Sequence, residues 1–298
     1  MNQGILSHVL PVERIVADTP VVCAGLFRCG PDHPLFPGGQ PCSSFCIVFP
    51  RGSAWIQHEG GRRFVADPSV TTFYNQGQVY YRWNIGGRAD RCDWLAFPAA
   101  VVRDAVRTYN PADAEHPSTP LRFASVPLNA RVYAVQRQLF ESLIHTGRVD
   151  AASVEERALA LLDQVVRSAY GAGSTRGTRT SKRTVEGVEA ARHLIARRPR
   201  DRASLADLAE AVGLSPFHLC REFRALTGRT IGAFRTELRL RASLEHVAAG
   251  EDLTTVALAF GFVSHSHFTQ AFRRLFGTTP SAMRGTAMRR AAPLRRHD

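Results

Sequence analysis

Between residues 20 and 97 apolar and aromatic positions come in short runs, separated by polar or glycine-containing breaks. The runs are Phe45–Phe49, Ala54–His58, Val70–Tyr74, Val79–Trp83 and Cys92–Phe97. The breaks are Arg51-Gly52-Ser53, Gly60-Gly61, Gln76-Gly77 and Gly86-Gly87. β-Branched and aromatic runs between turn signals predict antiparallel strands, and their close, regular spacing predicts a barrel or sandwich. The period then changes. Ala130–Thr146 sets Val132, Val135, Leu139 and Leu143 on one helical face, with Asn129 as N-cap and Gly147 past the end. Val154–Tyr170 does the same with Val154, Ala158, Leu161, Val165 and Ala169, and stops at Gly171. This helical hairpin is expected to pack on the strands, on a second subunit, or on both.

The stretch 171–183, rich in Gly, Ser, Thr and Arg, has no apolar anchor and predicts a flexible linker. Beyond it the pattern is helical. Thr184–Arg197 is a helix ended by Pro199, and Ser204 caps the next, with Asp207 three residues on. One short pattern then occurs twice. Its first copy is Ala209, Gly213, Leu214, Leu219, Phe223, Arg224, Leu226, Gly228. Its second is Ala257, Gly261, Phe262, Phe268, Phe272, Arg273, Leu275, Gly277. Alanine allows two helices to approach closely and glycine turns the chain between them, so each copy predicts a helix-turn-helix. A helix near Ile231–Ala249, ended by Gly250, joins them.

Helical geometry assigns the outward faces. With Leu219, Phe223 and Leu226 set inward, Phe217, Cys220, Arg221 and Arg224 face out. With Phe268, Phe272 and Leu275 inward, Ser266, Thr269, Gln270 and Arg273 face out, and the two sets coincide after a shift of 49 residues. Arg221 suits guanine and Gln270 suits adenine. His265, Ser266, His267 and Thr269 suit bases or phosphates at the helix start, whereas Arg224, Arg273 and Arg274 suit phosphate. The bland alternative is an ordinary solvated surface. A joining helix of about 20 residues spans ~30 Å, close to the ~34 Å between successive major grooves on one DNA face.

Charge favours the DNA reading. The 298 residues carry 38 Lys+Arg and 26 Asp+Glu, a formal net charge of +12. Residues 1–170 account for +1 of it and residues 171–298 for +11, the asymmetry expected if the second half meets phosphates. No apolar run approaches the ~18 residues of a membrane span and no signal peptide is evident, so a soluble cytoplasmic protein without a membrane partner is expected. Six cysteines without a dense framework fit a reducing compartment.

Two stretches, Leu205–Leu219 and Ala257–Ser281, resemble the signature of the AraC/XylS transcriptional regulators over about residues 184–285. The resemblance implies two helix-turn-helix units joined by a long helix. It places base-contacting positions at Phe217, Cys220, Arg221, His265, Ser266, His267, Thr269 and Gln270. Strands followed by two helices are also similar to the family's cupin-like sensor domain and dimerisation helices. Cys220 is an unusual reader, because a thiol has little hydrogen-bonding power.

The first half carries the remaining candidate chemistry. A metal-dependent cupin enzyme needs a His-x-His pair, and His8, His33, His58, His116 and His145 supply none. Cys29 and His33 are four apart, as are Cys42 and Cys46, spacings open to metal ligation or thiol redox chemistry. Cys46 and Cys92 sit in strand runs, where cysteine commonly behaves as a small buried hydrophobe. Trp55, Tyr74, Tyr80, Arg82 and Trp83 are candidate lining of an effector pocket inside the barrel, with Arg82 as anchor for an anionic ligand.

The expected fold class is α+β: an N-terminal cupin-like β-barrel with a helical hairpin, and a C-terminal all-α domain with two helix-turn-helix units. Expected domains are 1–170 for sensing and dimerisation, 171–183 as linker, 184–285 for DNA binding and 286–298 as a basic tail. The expected function is an effector-responsive transcriptional regulator with no catalytic residue, cofactor or metal. Its expected partners are operator DNA, a small-molecule effector, a second copy of itself and, for an activator, RNA polymerase. The alternatives are a cupin-type or cysteine-transferase enzyme fused to a DNA-binding module, and a constitutive architectural DNA-binding protein.

Overall fold

The computed structural model describes residues 12–146, 150–172, 182–197 and 203–284. Nine strands come first: β1 (Glu13–Asp18), β2 (Cys23–Cys29), β3 (Gly38–Pro41), β4 (Phe45–Pro50), β5 (Ala54–His58), β6 (Phe64–Ala66), β7 (Val70–Tyr74), β8 (Val79–Asn84) and β9 (Asp90–Phe97). Helices α1 (Ala99–Arg107) and α2 (Pro111–Ala114), strand β10 (Ser125–Pro127), and helices α3 (Ala130–Thr146) and α4 (Ala151–Ala172) complete the first half. The second half is helical: α5 (Lys182–Arg197), α6 (Leu205–Ala211), α7 (Pro216–Thr227), α8 (Ile231–Ala248), α9 (Leu253–Ala259) and α10 (His265–Phe276).

All five predicted strand runs form strands. They lie in two antiparallel sheets, ordered β1-β2-β9-β4-β7-β10 and β3-β8-β5-β6. This corrects the expected closed barrel: among the described residues no ladder joins the two sheets. The smaller sheet ends in β3 and β6, strands of four and three residues that are too short to continue it. Strands β1, β2, β3, β6 and β10 and helices α1 and α2 carry weaker patterns than the runs identified from sequence.

One face of the larger sheet packs Phe45, Ile47, Phe73, Leu95 and Phe97 against α1, α3 and α4. The expected apolar stripes on α3 and α4 serve this core. Leu139, Leu143, Leu161 and Val165 are buried within one chain, and Val135, expected beside them, is exposed. The buried face of α3 is rotated instead toward Tyr133, Gln136, Arg137 and Phe140. Gln136 Nε2 and Arg137 Nη1 donate to Asp93 Oδ2 at 2.7 and 2.5 Å, so two polar residues face the core because a buried strand carboxylate meets them.

Helix α4 includes Gly171 and Ala172 and α5 begins at Lys182, so both ends of the expected linker 171–183 are helical. Residues 173–181, like Gly147, His8, Pro199 and the 286–298 tail, lie outside the described residues. The helical half does not stand apart. Val65 of β6 and Ile85, just past β8, share a core with Val188, Leu219, Phe223 and Phe234. The core of α8–α10 is continuous with that of α3 and α4. Among the described residues no helix is long and apolar enough to cross a membrane.

Candidate nucleic-acid interface

The two repeats fold into two matched units. Helices α6 and α9 each have seven residues and are offset by 48; α7 and α10 each have twelve and are offset by 49. The one-residue difference lies in the turn, four residues in the first unit and five in the second. Caps match as well. Ser204 and Asp207 form the expected capping box at α6. Ser215 accepts from the His218 N–H at 3.2 Å and Ser264 from the His267 N–H at 3.1 Å, each satisfying a free amide of the first turn. Gly228 and Gly277 end the two helices at φ 71° and 79°, a left-handed conformation that glycine adopts without steric cost.

The inward residues are mostly those expected. Leu219, Phe223, Phe268 and Phe272 are fully buried. Leu226 is not: it is 43% exposed, and Leu275 is only half-buried. The third inward position is one residue later, where Phe276 is buried and Thr227 returns its hydroxyl to the Phe223 carbonyl. Both i+7 and i+8 fall within the apolar arc of a helix at 100° per residue, and here packing buries i+8 more deeply.

The outward residues stand free of that core except His267, whose ring meets Phe262 edge-on at 5.5 Å. Phe217 is 77% exposed, and Cys220, Arg221, Arg224, His265, Ser266, His267, Gln270 and Arg273 are all exposed, with Thr269 half-buried. Arg221 is held on the surface by Glu222 at 2.7 Å and lies 3.4 Å from His218 Nδ1. On α10 an open concavity of about 660 Å³ is lined by His265, Ser266, Thr269, Gln270, Arg273, Arg274 and Thr279. Thr279 was not legible as part of this surface, since it follows the helix-ending glycine. Helix α8, 18 residues or roughly 27 Å long, joins the units.

The expected effector residues divide into two groups. Tyr74, Tyr80 and Arg82 come together between the sheets. The tyrosine rings are 4.6 Å apart, and Arg82 Nη2 donates to the Tyr80 hydroxyl at 2.6 Å. Arg82 also pairs with Asp90 at 3.3 Å; burial pushes the Asp90 carboxyl up and Arg82 opposes it. His58 lies beside Tyr74 with ring centroids 5.0 Å apart, and burial depresses its imidazole to about 4. Among the described residues the buried atoms His58 Nε2, Arg82 Nε and Trp94 Nε1 have no hydrogen-bond partner.

Trp55 and Trp83 correct the expected pocket. They pair in register on the outer face of the small sheet. Side chains alternate along β8, so Tyr80 and Arg82 inside require Tyr81 and Trp83 outside. The Arg63 guanidinium sits 4.5 Å from both indole rings, and Trp55 meets His193 of α5 edge-on at 5.2 Å. Among the described residues no three His, Cys, Asp or Glu side chains are grouped to hold a metal ion. Cys29 is buried with its thiol pushed up by burial, whereas Cys42 and Cys46 are half-buried neighbours.

A charged network ties the sheets to α8. Asp93 receives Arg51 Nη1 at 3.4 Å as well as Arg137, and Arg51 also pairs with Glu245. Arg91 reaches the same Glu245 at 3.1 Å. Burial would raise the Glu245 carboxyl, but the Arg51 and Arg91 guanidiniums hold it below its ordinary value. Arg241, fully buried in α8, donates to the Pro68 and Leu128 carbonyls at 2.5 and 2.6 Å and to Glu237.

Comparison with known proteins gives a consistent result for the second half. Residues 208–286 match the helix-turn-helix domain family. The HTH-type transcriptional regulator GlxA of Rhizobium meliloti (strain 1021) is 40% identical over 88 residues, 29% of this chain and 26% of that protein. The bifunctional transcriptional activator/DNA repair enzyme Ada of Escherichia coli (strain K12) is 38% identical over 81 residues, 27% of this chain and 23% of that protein, in the helix-turn-helix region. The chain thus spans about a quarter of the length of these curated relatives. The crystal structure of unsaturated fatty acid bound ToxT from Vibrio cholerae strain SCE256 aligns over 89% of this chain and 95% of that one, at 14% identity and a TM-score of 0.35.

Proposed function

Residues 208–286 being a helix-turn-helix domain of the AraC type, we propose that the chain is a sequence-specific, effector-responsive transcriptional regulator that places α7 and α10 in successive major grooves. The observation that carries this is the pair of twelve-residue helices, capped alike and offset by 49, with exposed polar faces at equivalent positions. Arg221 and Gln270 are the base readers in this proposal; Ser266, His267 and Thr269 assist at the start of α10. Phe217 and His265 contact sugar or base edges, Cys220 packs at the groove, and Arg224, Arg273 and Arg274 hold phosphates. The net +11 of residues 171–298 supplies the long-range attraction.

In this reading residues 1–170 form an open, cupin-like sensor, 184–285 bind DNA, and the protein works in the cytoplasm. The effector is a small anionic or polar molecule taken between the sheets by Tyr74, Tyr80 and Arg82. The unpartnered nitrogens of His58, Arg82 and Trp94 support a polar occupant there. Its binding would be felt by the DNA-binding half through the sheet-to-α8 contacts of Arg51, Arg91 and Arg241, by shifting the population between two arrangements. A homodimer would need a surface other than the stripes of α3 and α4, which are covered within one chain. An activator would also meet RNA polymerase.

The test is binding of the full chain to a pool of random double-stranded DNA. A recovered site should hold two short elements about one helical turn apart. With about 6 phosphate contacts its affinity should fall on the order of a thousandfold between 50 and 200 mM salt. Recovery of no preferred sequence would overturn the proposal.

A further inference from the structure

The chain passes from the small sheet to the large one between Cys42, one residue past β3, and Cys46, the second residue of β4. Cys42 follows β3 and stays in the small sheet's hydrogen bonding, donating its N–H to the Gln78 carbonyl and accepting from Gly77. Cys46 lies in β4 of the large sheet, opposite Tyr74 and Ala96. Their sulfurs are 3.8 Å apart, and each residue is only partly buried. A disulfide needs ~2.05 Å between sulfurs; closing the gap asks for a shift of less than about 2 Å between the corner and β4.

We infer that Cys42 and Cys46 form a dithiol site that a hydroperoxide converts to an intrachain disulfide. The Cys42 thiolate attacks the distal oxygen of the hydroperoxide. The O–O bond breaks, the leaving alkoxide or hydroxide takes up a proton, and Cys42 becomes a sulfenic acid. The Cys46 sulfur, giving its proton to solvent, then attacks the Cys42 sulfur; the S–O bond breaks and water leaves. Two thiols are oxidised by two electrons, and one hydroperoxide is reduced to an alcohol (or water) and a second water.

The roles follow from the surroundings. The neighbouring Cys46 thiol and the Ser44 backbone draw the Cys42 thiol down to about 7, against the effect of burial. Cys46 is pushed the other way, by the Cys42 sulfur and then by burial. Cys42 is therefore the attacking sulfur and Cys46 the resolving one. By contrast Cys23, Cys29 and Cys92 are all pushed up, with burial as the first cause. At pH 7 a thiol near 7 is about half thiolate, against a few per cent for an ordinary one, but it is a weaker nucleophile. The net expectation is an oxidation about threefold faster than that of an ordinary thiol.

The experiment treats the reduced full chain with hydrogen peroxide, alkylates the remaining thiols, and maps the peptides by mass. The expected product has two of its six thiols protected, both within one peptide that is lighter by two hydrogens and regains them on reduction. Cys46→Ser should stop at a sulfenic acid on Cys42 that dimedone traps. Full alkylation of Cys42 and Cys46 after peroxide would overturn the inference, and so would a disulfide joining either of them to Cys23. The mapping of the unaltered protein decides the matter even where a variant folds poorly.

Discussion

Arg192 Nη2 lies 2.8 Å from Asp67 Oδ2, and the pair joins the first helix of the helical half to the corner between β6 and β7. Asp67 is fully buried and also accepts the amide and hydroxyl of Ser69 at 2.7 and 2.5 Å. Arg192 is nearly buried, pairs with Glu189 at 2.9 Å and donates to the Val65 carbonyl. A satisfied buried ion pair adds little net stability, but removing one partner leaves a charge without compensation. Arg192→Leu is expected to cost about 3–5 kcal/mol, read as a lower urea midpoint. A loss near zero would mean that water reaches Asp67 and the two halves are not joined through this contact.

Gly25 and Trp94 face each other in register on β2 and β9. A Cβ on residue 25 would fall 2.2 Å from Trp94 Cζ2, well inside contact distance, so the indole occupies the space that any side chain there would need. Gly25→Ala should displace Trp94 and destabilise by about 1–3 kcal/mol. With Trp55→Phe and Trp83→Phe in the background, Trp94 is the sole tryptophan. Its emission should then shift on the Gly25 change. An unchanged spectrum and midpoint would show that the strands absorb the methyl group without moving the ring.

The two helix-turn-helix units were legible because their signals are local: a helical period, a serine cap, a closing glycine, all repeated. Even there both i+7 and i+8 fit a helical stripe, and the period alone does not show that Leu226 is exposed. The strands were legible as strands, but alternation gives only relative parity. Nothing in the sequence says whether Tyr80 or Tyr81 faces inward, nor that Trp55 and Trp83 lie on the side away from Tyr74. On α3 the polar residues Gln136 and Arg137 resemble a solvent face. Their partner, Asp93, is more than 40 residues away in sequence. The contacts of Arg192 and Arg241 with the first half are longer-range still, and no periodicity marks them.

His58 makes stability depend on pH. Its imidazole is buried, with Nδ1 3.2 Å from Gln78 Nε2, and stays neutral in the folded protein down to about 4. In the unfolded chain it takes up a proton near 6.5. Protonation therefore favours the unfolded state as pH falls through that window. The stability present above pH ~6.5 should drain away toward pH ~4, by roughly 3 kcal/mol at most. Below ~4 the folded form is protonated too and the loss levels off. Urea unfolding between pH 7 and 4.5 should show the slope, and His58→Gln should flatten it. An unaltered slope in the variant would assign the effect to other groups.

The sharpest test of the interface separates reading from holding. Arg221 and Arg224 are both exposed arginines on α7, three residues apart, yet they are assigned different tasks. Arg221 lies on the middle of the outward face, matched on α10 by Gln270. Arg224 is further along and matched by Arg273. A bidentate contact to a base edge discriminates by about 1–3 kcal/mol, whereas a phosphate contact weakens all sequences alike. On a panel of operators carrying single base changes, Arg221→Ala should lose preference at one position and Gln270→Ala at another, about one helical turn away. Arg224→Ala should lower every affinity by a similar factor and reduce the salt slope by about 1. Should Arg221→Ala and Arg224→Ala give parallel losses across the panel, α7 would be bound through its phosphate contacts alone. Specificity would then rest on α10.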